Sequence, residues 1–168
     1  MSSTLFTPYK LGPVTLRNRT IRSAAFESMG KDFGPTRQLK DYHVAVARGG
    51  VGMTTLAYAA VCRSGLSFNK QLWLRPEIVP GLREITDAVH REGAAAAIQI
   101  GHCGNMTHWT TAGQMPIGAS TGFNLYAYTS VRGMKRREIE QVARDFGTAV
   151  RTAPENARLL EIMREVLE

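Results

Sequence analysis

No apolar run in the 168-residue chain approaches the roughly 18 residues needed to cross a bilayer as a helix, so a helical membrane span is excluded. Cysteine is scarce: Cys62 and Cys103 alone cannot make a disulfide framework. The first residues lack a basic start followed by an apolar core. No secretory signal is therefore expected, and both thiols are expected to be reduced in a cytoplasmic protein. There is no internal repeat and no low-complexity tract. Acidic residues are also in short supply, 14 against 21 Lys and Arg, for a net charge of +7. Much of that charge lies early, at Lys10, Arg17, Arg19, Arg22, Lys31, Arg37 and Lys40, with a second cluster at Lys135, Arg136 and Arg137. Such an excess suits a phosphorylated ligand or a solvated surface. No tract interleaves basic residues with aromatics and no zinc-finger spacing appears, so neither nucleic acid nor a membrane is expected as a partner.

What is present reads as alternating elements. Residues 5–18 pair short apolar runs around Gly12-Pro13, which predicts a hairpin. A first strand is expected over 19–25 and a loop over 26–35. Thr36 caps a helix to Arg48, whose buried side is expected from Tyr42, Val44, Ala45, Val46 and Ala47, and Gly49-Gly50 ends it. A second strand follows over 51–57. After a long polar loop, Pro80 opens a helix with Leu82, Ile85, Ala88 and Val89 at three- and four-residue spacing. Gly93 closes it and a third strand runs over 94–100. Residues 104–133 read as one long irregular stretch. Residues 134–152 form a helix with Ile139, Val142, Phe146 and Val150 on one face, and residues 156–167 form another after the break at Pro154. Two βα units with tight αβ turns imply right-handed crossovers and a parallel sheet. Every βα loop is longer than its αβ turn, the asymmetry of a (β/α) barrel.

The third strand ends abruptly in polar and small residues, Gln99, Gly101, His102, Gly104 and Asn105. In α/β folds ligands bind beyond the carboxyl ends of the strands. That places Gln99 and His102 at the mouth of a site. The same pattern also fits a core strand followed by a glycine turn, with Gln99 satisfying backbone groups. A metal site from His102, Cys103 and His108 fits no standard zinc spacing and lacks a fourth ligand. Cys62 reads as a small packed residue. His43 and His90 fall on helices, as surface or satisfied residues. Tyr126 and Tyr128 could meet a substrate or pack the loop down.

In their order and spacing, these motifs resemble the Old Yellow Enzyme family of flavin-dependent oxidoreductases. They are Leu5-Phe-Thr-Pro, Leu16-Arg-Asn-Arg19, Arg22-Ser-Ala-Ala-Phe-Glu27, Gly49-Gly-Val-Gly52, Ile85-Thr-Asp-Ala-Val-His90, Gln99-Ile-Gly-His-Cys-Gly104 and the helix beginning at Arg137. The resemblance implies an α/β fold: the first three βα units of a (β/α)8 TIM barrel, over residues 1–152, with an N-terminal hairpin and a C-terminal amphipathic helix over 153–168. It implies FMN as cofactor, NAD(P)H as reductant, and hydride passed through the flavin to a small-molecule acceptor, an activated alkene or quinone. Ser23, Ala24, Ala25 and Phe26 would lie along the isoalloxazine. Tyr58 would stand near the ring, where relatives carry a smaller residue. Gln99 would hydrogen-bond the pyrimidine edge, which an amide suits because it both donates and accepts. His102 would pin its loop.

The chain departs from the family in three places. Asn105 stands where an Arg is usual, and Phe26 replaces a small side chain. The fourth-strand pair of active-site residues and the phosphate site after strands seven and eight have no counterpart, so no catalytic residue is assigned. A (β/α)8 barrel takes about 250 residues. Three strands alone leave sheet edges unpaired. The chain is therefore expected to be an N-terminal piece of a larger enzyme, a deleted variant or a self-associating form. As such it would be inactive alone and weak in FMN binding, a homo-oligomer or a unit completed by further barrel strands. The alternative is a non-catalytic barrel fragment that associates through its open edges.

Overall fold

The structure, a computed structural model, describes residues 3–152; the expected C-terminal helix lies outside the described residues. Strands β1 (Tyr9–Leu11) and β2 (Val14–Leu16) form the antiparallel hairpin about Gly12-Pro13. Its Val14 and Leu16 bury themselves against Met53 and Ala97, so the hairpin covers the amino ends of the strands that follow.

Those strands are parallel. Strand β3 is Ile21–Arg22 and β4 is Met53–Ala60. A two-residue β5, Leu72–Trp73, comes next, and β6 is Ala95–Gly101. Strand β4 is the centre. It pairs with β6 along one edge, with a register shift between Leu56 and Ala59. Along its other edge it pairs with β3 at Met53 and Thr54 and with β5 at Ala59 and Ala60. β3 is shorter than the expected 19–25 because its backbone leaves the ladder after Arg22, for a reason given below. β4 begins two residues later than expected and runs three further.

Helices α1 (Arg37–Arg48) and α2 (Val79–Arg91) pack on one face of this sheet. Thr36 Oγ1 accepts from the Leu39 amide at 3.2 Å, the expected N-cap. The buried stripe of α1 is Leu39, His43 and Ala47, at four-residue spacing. Ala45 is exposed and Tyr42, Val44 and Val46 are only half-buried. Of the expected side only Ala47 is buried; the stripe runs through His43, expected as a surface or satisfied residue and found buried and hydrogen-bonded to Thr54. In α2 the expected Leu82, Ile85, Ala88 and Val89 are buried.

The stretch expected to be irregular is structured. It holds a one-turn helix α3 (Trp109–Ala112) and a small sheet of β7 (Ile117–Gly118), β8 (Gly122–Asn124) and β9 (Thr129–Gly133), in the order β7-β9-β8. Asn124 nucleates the turn: its Oδ1 accepts from the amides of Tyr126 and Ala127 at 2.8 and 3.2 Å. Such short strands carry too little period-two alternation to be read from sequence. Leu125, Tyr126 and Tyr128 project from this turn into solvent.

Helix α4 (Arg136–Thr152) opens on Glu138, which accepts from the Lys135 amide at 2.7 Å and from Arg132 at 2.9 and 2.6 Å. The Arg132 guanidinium, with the Lys135 amide, holds the Glu138 carboxyl down at about 2. Phe146 and Ala149 reach the core, whereas Ile139 on the same helix is half-exposed. Among the described residues β3 and β6 each pair only with β4, so both outer edges of the sheet stand open. No described helix is long and apolar enough to cross a membrane.

Arg17 closes the lower rim. Its guanidinium donates to the carbonyls of Ala47, Val51 (3.0 Å) and Glu92 (2.7 Å), tying together the carboxyl ends of both helices. Hydrogen bonds from a charged donor contribute about 1.5–3 kcal/mol each. Arg17→Met is expected to lower the unfolding free energy by about 2–4 kcal/mol in urea melts, less than the sum because water reaches part of the rim. Arg17→Lys is expected to recover only part, since an ammonium cannot span three carbonyls.

Candidate functional site

The carboxyl ends of β3, β4 and β6 open into a cleft. Ala24, Ala25 and Phe26 line it, with Tyr58 from β4, Phe68 and Gln71 from the following loop, and Gln99 from β6. Five of the six residues singled out from the sequence thus meet on one cleft. Ser23 lies exposed beside it and does not line it. A second lobe, continuous through Tyr58, Ser67 and Gln99, extends past Gly101, His102 and Cys103 to Met106.

The cleft exists because β4 has a gap on its β3 edge. Between the pairing to β3 and the pairing to β5, side chains take the place of a neighbouring backbone. Arg22 Nη1 donates to the Thr55 carbonyl at 2.6 Å. Glu27 Oε2 accepts from the Ala57 amide at 3.0 Å. Gln71 Nε2 donates to the Tyr58 carbonyl at 3.3 Å. The backbone that would have filled this gap, that of Ala24, Ala25 and Phe26, makes no hydrogen bond among the described residues. It arches over the gap, and the chain turns at Ser28, whose φ is +52°.

Arg22 and Glu27 are joined as well, Nη1 to Oε1 at 2.7 Å. His43, with no exposed surface, hydrogen-bonds Thr54 Oγ1 through Nδ1 at 2.8 Å. Its Nε2 lies 3.0 Å from Glu27 Oε1, at ion-pair distance but off the hydrogen-bond axis. Tyr42 completes the group, its ring 5.0 Å from the Arg22 guanidinium and its hydroxyl accepting from Arg22 Nη2 at 3.1 Å. Burial pushes the Glu27 carboxyl up, but His43, the Ala57 amide and Arg22 outweigh it and hold Glu27 below the ordinary glutamate range.

This buried cluster is what reading the sequence missed. Two signals were available: His43 sits in the four-residue register of Leu39 and Ala47, and Glu27 follows a run of small or apolar residues five positions after Arg22.

The remaining candidates are held in place. The Tyr58 hydroxyl donates toward the Gly65 carbonyl and Ser67 Oγ, at 3.1 and 3.3 Å, and burial raises its pKa. Its ring lies against Gly101, where an added Cβ would stand 3.0 Å from Cδ2, so a larger residue there would have to push the ring aside by a few tenths of an ångström. His102 pins its loop: Nδ1 accepts from the Gly104 amide at 3.0 Å and Nε2 meets Ser64 Oγ at 3.2 Å. With Nδ1 accepting, the neutral ring carries its proton on Nε2, and burial lowers its pKa. Burial pushes Cys103 up to about 11, and Cys62 upward too, so neither thiol is a ready nucleophile. His108 caps α3, taking the Thr110 amide on Nδ1. Gln99 differs from these: exposed on the cleft wall, its amide has no hydrogen-bond partner among the described residues.

The donor set suits a flat heterocycle with a polar edge. An unpartnered amide and an unpaired backbone segment converge on walls of alanine and aromatic carbon. The only basic side chain lining the main cleft is the exposed Lys70, and no arrangement for a phosphate is built among the described residues.

Comparison with known proteins bears on the family and the fold. Residues 4–163 match the model of the NADH:flavin oxidoreductase / NADH oxidase family. The 4,4'-dithiodibutanoate disulfide reductase of Rhodococcus erythropolis is 40% identical over 149 residues, covering 89% of this chain and 37% of that protein. An NADPH dehydrogenase of Listeria monocytogenes is 32% identical over 157 residues, covering 91% and 45%. The structure of the Old Yellow Enzyme homologue from Zymomonas mobilis superposes with a TM-score of 0.80 at 23% identity, over 89% of this chain and 45% of that one. The chain therefore spans less than half the length of each of these relatives, and its fold is a partial TIM barrel.

A carboxylate held below its ordinary pKa contributes stability that is complete above the glutamate range and is lost as pH falls through that range toward the lowered value. Stability is expected to decline on this limb as Glu27 is protonated between His43, Tyr42 and Arg22. Glu27→Gln, already weakened at neutral pH, is expected to show a flatter limb. Urea midpoints measured from neutral pH down to about pH 3 check this.

Proposed function

The chain belongs to the NADH:flavin oxidoreductase / NADH oxidase family, and from that premise we propose that its cleft is the ring-binding half of an FMN site serving an NAD(P)H-dependent oxidoreductase. The observation that carries this reading is the Gln99 amide, unpartnered on the cleft wall opposite the unpaired backbone of Ala24–Phe26. When bound, the flavin accepts hydride from NAD(P)H and delivers it to a small electron-poor acceptor, an activated alkene or a quinone.

The chain's own residues bind and orient. Gln99 both donates to and accepts from the pyrimidine edge. The small side chains Ala24 and Ala25 let the backbone approach the ring plane. Phe26 and Phe68, with ring centroids 4.5 Å apart, form the outer side of the cleft. Tyr58 walls the floor; its hydroxyl already donates within the protein, so it has no part in proton transfer. No described residue fills the role of proton donor to an acceptor, and none forms a phosphate cradle. In a (β/α) barrel the phosphate site lies further round the ring, after strands seven and eight.

The second reading is a non-catalytic fragment that associates through its edges. The open outer edges of β3 and β6 and the half-exposed Ile139 of α4 favour it. It implies a homo-oligomer, or a unit completed by other strands.

The two readings separate on FMN. The purified chain, titrated with FMN, is expected to bind it weakly, for want of a phosphate cradle, and to perturb the flavin absorption spectrum. Gln99→Leu, which keeps the bulk and removes the amide, is expected to weaken FMN binding by about tenfold, the scale of losing one or two hydrogen bonds. A wild-type protein that leaves the flavin spectrum unperturbed and elutes as an oligomer would favour the second reading.

A further inference from the structure

We propose that Arg22 and Glu27 form a clasp that holds the backbone of Ala24–Phe26 out of the parallel sheet, so that its amides and carbonyls are free for the ligand of the cleft. With FMN as that ligand, the inference rests on the reading just given; the clasp itself does not.

The argument begins with β4. Its edge toward β3 is a ladder at Met53 and Thr54 and again, with β5, at Ala59 and Ala60. An interior strand edge between two paired segments would normally be paired throughout. Here the Thr55 carbonyl is taken by Arg22 at 2.6 Å and the Ala57 amide by Glu27 at 3.0 Å. These are the groups to which an extended β3 would have bonded. The two side chains therefore compete with the strand they flank, and they win because they are also bonded to each other and are nearly buried: Glu27 is 5% and Arg22 17% exposed. The residues between them are a small, low-propensity run, Ser-Ala-Ala, followed by Phe26 with its ring outward.

His43 and Tyr42 make the clasp rigid from the side of α1. Nε2 of His43 faces Glu27 at 3.0 Å, and Tyr42 takes the second Arg22 nitrogen. Glu27 also joins two walls of the cleft, since Ala57, whose amide it accepts, immediately precedes Tyr58. Arg22 lies behind the cleft and Glu27 on its wall, with its carboxylate committed to Arg22 and the Ala57 amide. They are positioning residues, acting through the arch they close.

The test uses the full chain and a double variant, Arg22→Met with Glu27→Met. Removing both charges leaves neither ion orphaned in the interior, the condition under which such replacements preserve stability. Two readouts are taken together, hydrogen exchange of the peptide spanning residues 22–27 and the dissociation constant for FMN by flavin fluorescence. The wild type is expected to exchange the amides of Ala24 and Phe26, the two that an extended β3 would turn toward Thr55 and Ala57, rapidly and to slow them when FMN binds. In the double variant β3 is expected to extend along Thr55–Ala57. Those amides are then protected without ligand, and FMN binds about tenfold or more weakly because the segment must leave the sheet first.

Weaker binding without added protection would overturn the inference, since the charges rather than the freed backbone would then hold the ligand. Protection without weaker binding, or slow exchange already in the wild type, would overturn it equally. A wild type that binds no FMN sinks the functional reading alone, and the exchange comparison then decides the clasp. Should the double variant not melt cooperatively, Arg22→Val with Glu27→Val, whose β-branched side chains favour an extended strand, replaces it, with the same two readouts and the same expected directions.

Discussion

The site depends on an interruption. Strand β4 is hydrogen-bonded on both edges at its two ends, but at Thr55–Tyr58 one edge is met by Arg22, Glu27 and Gln71 instead of by a strand. On the opposite edge the ladder to β6 slips its register between Leu56 and Ala59, at the same height. A continuous sheet there would have no cleft. With the gap, the chain after β3 arches outward, Tyr58 drops onto Gly101, and Gln99 is left with open space before its amide. Buried polar groups are costly unless satisfied, and the cluster meets that condition at nearly every atom, which is why it can replace three backbone bonds without loss of order.

How much of this was legible in the sequence follows from the length scale of each signal. Helix α1 was readable because Thr36 and Gly49 mark its ends. Helix α2 was readable because four apolar residues repeat at helical spacing. The parallel order was readable because βα loops are long and αβ turns short. The motif order carried the family, and the family carried the expectation that Ser23–Phe26, Tyr58 and Gln99 meet, of which Ser23 stays outside the cleft. The clasp was not readable, because Arg22, Glu27 and His43 converge from two elements and a loop. None of the three breaks a local rule strongly enough to stand out. His43 came nearest, sitting where an apolar residue was due between Leu39 and Ala47. The β7-β9-β8 sheet escaped notice for a different reason: its strands are two to five residues long, and the turn that orders them rests on one side chain, Asn124.

The same physics explains why so short a piece of a barrel holds together as described. The hairpin of β1 and β2 covers the amino ends of the parallel strands with Val14 and Leu16, and Arg17, directly after it, ties down the carboxyl ends of α1 and α2. The bottom and the helix-facing side are thus closed by residues close in sequence. What is not closed is lateral. β3 and β6 present unpaired edges, and α4 keeps Ile139 in water. A parallel sheet is ordinarily covered on both faces and continued at its edges, so the described unit is complete vertically and incomplete sideways.

That asymmetry bears on the chemistry. The ends of β3, β4 and β6 supply an arch of unpaired backbone, an amide and aromatic walls, the parts we propose for ring recognition. A phosphate cradle and a proton donor lie in a (β/α) barrel on units further round the ring, and the described residues offer neither. The lateral edges and the missing chemical groups therefore point to the same boundary. On the reading of the cleft as half of an FMN site, whatever pairs with the outer edges of β3 and β6 would also bring the other half. Strand pairing and catalytic completion would then be one event, because the mouth of a barrel is formed only by the strands that close it.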